Sequence, residues 1–316
     1  MRRCFRGAKT SAYPEDEGKK KTQGEESTMI SKLFCIAGMI VLASFAVRPA
    51  AGATCSNASL SGTYGFLHDS TDSNGTPNSA AVSQLTFDST KGTFTGETTT
   101  SRNGVISTLP LSGTYAVASN CTGTGTPSGG SPFSIVVTPR GFLAVHLLSE
   151  GFAVKQGSPN CNSVGVKGSF GFEATGAYLA GAPAIGAVDF IGELKFKINP
   201  SGEGEISGHV ASSEDGTYQT FADEPVTGSY TVDKNCTGTA TITPKGLPEL
   251  HFSFVVVDCG KEMLAVETDA DTIVSGTLVK GNEDEDQLAT VSNDCEHRAV
   301  SAANQLIRVS SAQTKI

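Results

Sequence analysis

The sequence predicts an all-β protein made of two tandem antiparallel β-barrels of about eight strands each, similar in type to the calycins. Three observations support this prediction: a segment that occurs twice, alternation of apolar and polar residues, and turn residues at short intervals. The repeated segment, residues 113–124 (GTYAVASNCTGT), returns as residues 228–239 (GSYTVDKNCTGT). Because Tyr, Asn, Cys, Thr and Gly stay in register, the match indicates that one β-rich unit has been duplicated.

Two features precede the repeat. Residues 1–28 are polar and of mixed charge, which is typical of a disordered extension that lies upstream of the true start. Residues 29–53 follow the pattern of a signal peptide, with a positive residue, an apolar stretch and an A-x-A cleavage motif. The apolar stretch is shorter than the roughly 20 residues that span a bilayer. We therefore expect translation from Met29, a mature chain from near Thr54 and no stable membrane span after cleavage, with an uncleaved anchor as the alternative.

The repeat divides the rest of the chain into two units and a tail. We expect β-barrel unit 1 at residues 54–158, β-barrel unit 2 at residues 159–281, and an acidic linker with a C-terminal tail at residues 282–316. Each unit opens with a cysteine that is followed seven residues later by Gly-[Ser/Thr]-[Tyr/Phe]-Gly-Phe. Insertions fall between the matched segments, where loops tolerate them. Within the tail, residues 295–308 have a short helical pattern.

The matched segments alternate as half-buried strands do. Leu194, Phe196 and Ile198 alternate with lysines, and turn sequences such as Asn-Pro-Ser-Gly at residues 199–202 separate the strands. Eight antiparallel strands can close into a small barrel without an exposed edge. The alternative is a pair of immunoglobulin-like sandwiches. That alternative is disfavoured because the first cysteine of each unit precedes the first strand and the chain contains no tryptophan.

Six cysteines follow the signal peptide, and an even number in an exported chain indicates disulfides. Repeat symmetry pairs the first cysteine of each unit with the cysteine of its repeated segment. The two remaining cysteines then pair with each other and staple the tail, with two free thiols as the alternative. The expected bridges are Cys55–Cys121, Cys161–Cys236 and Cys259–Cys295.

The repeated asparagines, Asn120 and Asn235, lie in N-x-[Ser/Thr] sequons. They would carry glycans only in a host that makes them. We interpret both as turn residues instead, because asparagine tolerates a left-handed backbone and bonds its neighbours.

Composition and motifs argue against several function classes. From residue 54 onward the chain has 14 basic and 27 acidic side chains, a net charge of −13, and this acidity, with no Lys/Arg cluster and no tryptophan in that part, disfavours nucleic-acid binding. Neither a zinc-ligand spacing, a G-x-S-x-G elbow nor a carboxylate pair can be identified. We therefore nominate no catalytic, cofactor-binding or metal residue and expect no cofactor. His146 and Glu267 occupy the same strand position in the two units, and this exchange argues against a shared chemistry there.

Three motifs give the chain a family resemblance over about residues 55–280. They are Cys-x6-Gly-[Ser/Thr]-[Tyr/Phe]-Gly-Phe, then Gly-[Ser/Thr]-Tyr-x-Val-x3-Cys-Thr-Gly-Thr, then Phe-x-Phe-Val-Val-Val-Asp-x-Gly-Lys-Glu. The chain thereby resembles uncharacterised secreted proteins of soil bacteria, acidobacteria in particular, whose units are similar to the calycin barrel of allene oxide cyclase and dirigent proteins. Unit 1 departs from the last motif, with Thr-Pro-Arg at residues 138–140 where unit 2 has Asp-Cys-Gly at residues 258–260.

The resemblance implies a barrel cavity that holds a small apolar molecule, and it carries over no catalytic residue. The leading hypothesis is an exported, non-enzymatic protein, secreted or periplasmic, that binds such a ligand or acts at the cell surface. The alternative, by fold analogy alone, is a cyclase- or isomerase-like enzyme. That alternative requires a polar group with a perturbed pKa inside a barrel.

Overall fold

The structure, a computed structural model, describes residues 54–146, 149–157, 161–182, 186–214, 217–219, 225–245 and 248–281. The expected extension, signal peptide, acidic linker and C-terminal helix lie outside the described residues, as does Cys295. The described residues contain no helix that is long and apolar enough to cross a membrane.

Barrel 1 is a closed antiparallel barrel of eight strands in sequence order, in which β8 pairs with β1. Alternating inward residues of these strands line its lumen, as the sequence pattern predicts. Its strands are β1 (Gly62–Thr71), β2 (Pro77–Asp88), β3 (Thr93–Arg102), β4 (Val105–Val117), β5 (Thr122–Pro127), β6 (Phe133–Val137), β7 (Gly141–His146) and β8 (Ser149–Lys155).

Barrel 2 repeats this plan, and two pairings, β9 with β17 and β10 with β11, close its ring. A short strand, β12 (Thr217–Gln219), pairs with β11 outside the ring. The two closed barrels confirm the predicted fold class and exclude the sandwich alternative. The ring consists of β9 (Gly168–Tyr178), β10 (Gly186–Ile198), β11 (Gly204–Glu214), β13 (Pro225–Val232), β14 (Thr237–Pro244), β15 (Leu250–Val257), β16 (Glu262–Glu267) and β17 (Thr272–Lys280).

Each barrel has a base, the end at which its first strand begins, and a mouth at the opposite end. A 3₁₀ helix covers each base, Asn57–Leu60 in barrel 1 and Ser163–Val166 in barrel 2. Each helix buries one apolar side chain in the lumen core, Leu60 at 0% exposure and Val166 at 1%. The disulfides Cys55–Cys121 and Cys161–Cys236 tie the start of each unit to the turn between two strands at the same end.

The repeated segment attaches this helix to the barrel in both units. The hydroxyl of Tyr115 donates to the carbonyl of Asn57 at 3.0 Å, and that of Tyr230 donates to the carbonyl of Ser163 at 2.9 Å. Gly113 is required beside them, because a Cβ there would lie 2.4 Å from the ring of Phe94. The conserved-looking residues of the repeat therefore build the base of each barrel.

The turn in the repeated segment differs in one respect from the expectation. The side chains of Asn120 and Asn235 do accept hydrogen bonds, each from the backbone and hydroxyl of the threonine two residues later. The left-handed backbone, however, belongs to the cysteines: φ is 67° at Cys121 and 73° at Cys236. The asparagine thus closes the turn with its side chain, and the cysteine that follows it takes the left-handed position.

The outer faces of the two barrels pack against each other through apolar side chains of β1, β2 and β8 on one side and β15–β17 on the other. A Cβ at Gly65 would lie only 2.5 Å from Val257, so the backbones approach closely there. Along this contact the strands are covered on both faces, by the lumen of their own barrel on one side and by the other barrel on the other side. The shared cluster consists of Leu67, Ala80, Val82, Val154, Val255, Val257, Leu264, Val266 and Ile273.

Polar contacts surround this interface. The Arg140 guanidinium lies 3.5 Å from the Asp258 carboxylate and also donates to Glu262. Burial raises the pKa of Glu262 although Arg140 opposes this shift. Arg140 and Asp258 belong to the segments in which the two units differ, so this difference in sequence serves the contact between the barrels.

The backbone beside Asp258 also joins the barrels, since the amide of Cys259 donates to the carbonyl of Gln156 at 2.9 Å. Cys259 takes part in a disulfide. Because Cys295 lies outside the described residues, the Cys259–Cys295 pairing stays a prediction.

Candidate functional site

Aromatic rings fill the lower half of the lumen of barrel 1. The Phe87 ring lies at the centre, with centroids 5.5 Å from Tyr64, 5.5 Å from Phe142 and 5.0 Å from Tyr115, all edge-to-face. Burial raises the pKa of Tyr64 to about 12, so its hydroxyl stays protonated. Together with the helix that covers the base, this cluster fills that end of the lumen with apolar side chains.

The upper half of the same lumen is polar. Alternation along β1 places Tyr64 and Phe66 inward near the base, and His68 and Ser70 inward near the mouth. The paired strands continue this polar surface with side chains that are small, hydroxylated or basic. We call the following inward positions the upper lumen: His68, Ser70, Ser79, Ala81, Ser83, Thr98, Thr100, Arg102, Ser107, Leu109, His146, Ser149 and Gly151.

Solvent reaches the upper lumen. His68 and His146 are half-buried, while Arg102 is exposed at the end of β3. Leu109 faces inward and is nevertheless 58% exposed, which would be unfavourable in a filled barrel. The mouth of barrel 1 therefore forms a cup whose rim is accessible to solvent, whereas Ser79, Ala81 and Ser83 within it are buried. The Phe66 and Phe142 rings stack at 5.7 Å beneath it.

Basic side chains set the charge of this cup. None of the inward positions on β1–β8 is Asp or Glu, and the nearby Asp69 and Glu150 lie on the outward phase of their strands. The pKa of His68 lies below its ordinary value, first because the ring is buried and then because Arg102 and His146 lie near it. The lowered pKa favours the neutral form of His68, and a negative charge bound beside it would favour the protonated form.

The lumen of barrel 2 differs at the same positions. Val188, Phe190 and Val210 stand where barrel 1 has Ser79, Ala81 and Thr98, by the alignment of the two units. The cavity found in this lumen measures about 20 Å³, close to the space that one water molecule needs. Its lining, which includes Phe172, Phe252 and Met263, is apolar. Barrel 2 is thus packed, well short of the few hundred Å³ of a ligand pocket.

One ionisable side chain lies inside barrel 2. Glu267 faces the lumen opposite Phe252 and is 1% exposed. Neither carboxyl oxygen has a hydrogen-bond partner within the part of the chain that the structure describes. Burial, with a smaller effect of Asp269, raises its pKa to about 8. The carboxyl is therefore protonated at neutral pH, which is how a buried acid without a partner avoids an isolated charge.

No family model and no curated protein matches this chain. Among solved structures, it is similar to a protein of unknown function from the DUF3598 family of Nostoc punctiforme. That match has 12% identity and a TM-score of 0.23, and it covers 71% of this chain and 97% of the other. A likeness this weak carries no argument about function.

The site residues were not identified from the sequence. The nominated cysteines that the structure describes lie at the bases or beside the interface, away from the upper lumen. The exchange of His146 for Glu267 is visible in the sequence, but there it argues against a chemistry shared by both units and does not point to a site in one of them. The signal that could have identified the site is the alternation along β1. Tyr64, Phe66 and His68 occupy successive inward positions, and a histidine that follows two inward aromatic residues indicates that the apolar core ends there.

Proposed function

We propose that this protein is an exported, non-enzymatic binding protein that holds one small molecule in the upper lumen of barrel 1. One observation carries the proposal: the upper lumen is polar and accessible to solvent at its rim above a hydrophobic floor, whereas the same region of barrel 2 is packed. An eight-stranded barrel either fills its interior or admits one small ligand. Barrel 2 is filled, so the proposed ligand site lies in barrel 1, against which barrel 2 packs through the shared interface.

Export is supported by the disulfides and by the signal-peptide pattern of residues 29–53. Two disulfides have both cysteines among the described residues, and they indicate an oxidising environment. A binding protein outside the cytoplasm would act in the periplasm, at the cell surface or in the medium.

The test is native mass spectrometry of the mature protein purified from its own host, together with ligand-observed NMR against a panel of small molecules. We expect one bound molecule per chain. The double variant Ser79→Val with Ala81→Phe gives barrel 1 the residues of barrel 2 and should abolish binding by filling the lumen. Thr95→Val, an outward change on β3, is the control and should bind normally. Undiminished binding by the filled variant would contradict the proposal.

A specific observation supports the second candidate, a cyclase- or isomerase-like enzyme. His68 combines access to solvent, a lowered pKa and a hydrophobic floor, and a neutral imidazole is a competent general base. Glu267 does not serve here, because it is closed off from solvent. Conversion of a bound molecule by the native protein, lost in His68→Gln while binding persists, would favour the enzyme over the carrier.

A further inference from the structure

We infer that the ligand of the upper lumen is a small organic carboxylate, with its acidic group between His68, His146 and Arg102 and its apolar body directed toward the Phe66–Phe142 stack. This inference rests on the proposed function and adds the chemical class of the ligand. It follows from the placement of the three basic side chains, the uncharged walls and the floor.

The three basic side chains come from three strands of the ring. β1 lies two strands from β7 on one side and two strands from β3 on the other, so β3 and β7 lie four strands apart. Neighbouring strands are about 4.8 Å apart, so successive basic positions have backbones about 10 Å apart. Their side chains reach into this space from both sides, and a carboxylate fits between donors separated in this way.

The strands between the basic residues carry small side chains at this level. On β8, Gly151 pairs with His68, and Ser149 pairs with both Ser70 and His146. On β2, Ala81 pairs with His68, and Ser79 pairs with Arg102. Because these residues are small, the barrel leaves space between its basic side chains, and that space is bordered by hydroxyl groups that can donate to an anion.

The charges of the lumen favour an anion over a neutral or cationic ligand. Two of the other three basic residues of unit 1 pair with acids: Lys91 with Asp88 at 3.0 Å, and Arg140 with residues of barrel 2. Arg102 has no salt bridge among the described residues. A guanidinium without an acidic partner at the mouth of a low-dielectric cup attracts carboxylates, for which its planar fork is well shaped.

The floor selects an organic anion rather than an inorganic one. Phe66 lies 5.9 Å from the His68 ring and stacks on Phe142, so an aromatic surface begins directly beneath the basic residues. Leu109 and Leu111 add inward aliphatic surface on β4. Burial of this surface requires an apolar body, which phosphate or sulfate lacks.

Binding of a carboxylate should be coupled to uptake of a proton by His68. Arg102 on β3 and His146 on β7 face His68, while its neighbours on β2 and β8 are uncharged. A bound carboxylate favours the charged imidazole. Affinity should therefore rise as the pH falls from 8 to 6, a range in which a carboxylate ligand itself stays ionised.

Isothermal titration calorimetry of the mature protein tests the inference with benzoate and hexanoate, each paired with its neutral amide, and with inorganic phosphate. We expect both carboxylates to bind at least ten times more tightly than their amides and than phosphate. Arg102→Gln and His146→Gln should each weaken carboxylate binding about tenfold or more. Lys91→Gln, which removes a positive charge from the outside of the same barrel, should have no effect.

The outcomes separate the two proposals. Equal binding of carboxylate and amide, with no effect of Arg102→Gln, would overturn the carboxylate inference and leave the proposed binding function intact. Binding of phosphate as tight as that of benzoate would also overturn it. A native protein that binds none of these probes and carries no molecule from its host would overturn both. Circular dichroism of each variant verifies that the barrels are folded.

Discussion

The two barrels share their base and differ at their mouth. Each base has a 3₁₀ helix, a disulfide and a tyrosine that donates to the helix. At the mouth, barrel 1 has His146 with basic and hydroxylated neighbours, whereas barrel 2 has the buried Glu267 among apolar side chains. The best-matched sequence thus marks the part that closes the barrel, and the unmatched residues lie in the part that we propose to bind a ligand.

This difference teaches that one type of base supports two kinds of lumen. Barrel 2 has Val188, Phe190 and Val210 where barrel 1 has small or polar inward residues, and the outer face of barrel 2 packs against barrel 1. A carboxyl without a partner in this packed lumen destabilises the fold when it is charged. The four predictions that follow break or sharpen the comparison between the barrels.

The largest expected effect is the pH dependence that Glu267 gives to barrel 2. Its pKa rises from the ordinary 4.5 to about 8 on folding. Between these values the folded carboxyl keeps a proton that the unfolded one has lost. The free energy of unfolding therefore falls as the pH rises, by about 1.4 kcal/mol per pH unit and about 5 kcal/mol in all. Glu267→Leu should remove this loss.

Urea unfolding of native protein and variant at a series of pH values from 4.5 to 8.5 measures the effect. Glu205→Leu, at an exposed outward position of the same barrel, serves as the control and should keep the native slope. If the Glu267→Leu variant lost stability toward high pH as steeply as the native protein, Glu267 would not be the source of the pH dependence. Its carboxyl would then have to be paired in the folded native protein.

The second prediction compares the two disulfides at the bases. They close loops with sequence separations of 66 and 75 residues. Loops of this length predict a stabilisation of about 4 kcal/mol for each bridge, with little difference between them. We expect Cys55→Ala with Cys121→Ala, and Cys161→Ala with Cys236→Ala, to lower the free energy of unfolding by similar amounts in denaturant titrations. A loss confined to one pair would show that the two bases are not equivalent.

The third prediction concerns Gly65 and Gly171, which hold the same position in the two units but face different surroundings. A Cβ at Gly65 would meet Val257 at 2.5 Å, whereas one at Gly171 meets nothing closer than 3.8 Å. Gly65→Val should therefore overpack the interface, at a cost of about 1–3 kcal/mol. It should also split a single calorimetric unfolding transition into two. Gly171→Val is the matched control, and an equal loss in both variants would refute an interface effect.

Much of the fold could be predicted from the sequence because its signals are local. Alternation, turn residues and the repeat are sufficient for two eight-stranded barrels, and repeat symmetry gives the pairs Cys55–Cys121 and Cys161–Cys236. The interface between the barrels was missed. Its signal was present in the uninterrupted apolar runs of residues 254–257 and 263–266, which indicate strands buried on both faces.

The site was not predictable to the same degree, because it depends on contacts between strands distant in sequence. His68, Arg102 and His146 are spread over 79 positions and meet only when β1, β3 and β7 close into a ring. Alternation could place each of them inward, but only the strand register shows that Arg102 and His146 lie level with Ser70, one inward position from His68. Whether a lumen is packed or open also depends on the summed volume of its side chains, which no single motif records.

The smallest expected effect is the pH dependence of barrel 1, and its sign is opposite to that of barrel 2. The pKa of His68 lies below its ordinary 6.5 in the folded state. As the pH falls below 6.5, the unfolded state takes up a proton that the folded state does not. The free energy of unfolding therefore decreases toward acid, by at most about 1.4 kcal/mol per pH unit and only down to the folded pKa. His68→Gln should remove this decrease and leave the loss at high pH unchanged.

Proton NMR titration of the imidazole follows the same group directly. His146→Gln removes one of the neighbours that lower the pKa of His68, so the resonance of His68 should titrate at a higher pH in this variant than in the native protein. Glu267→Leu lies in the other barrel and should leave that titration unchanged. If the ligand-free His68 titrated at 6.5 or above, Arg102 and His146 would not lie beside it. The two lumens would then differ in their ionisable groups only through Glu267.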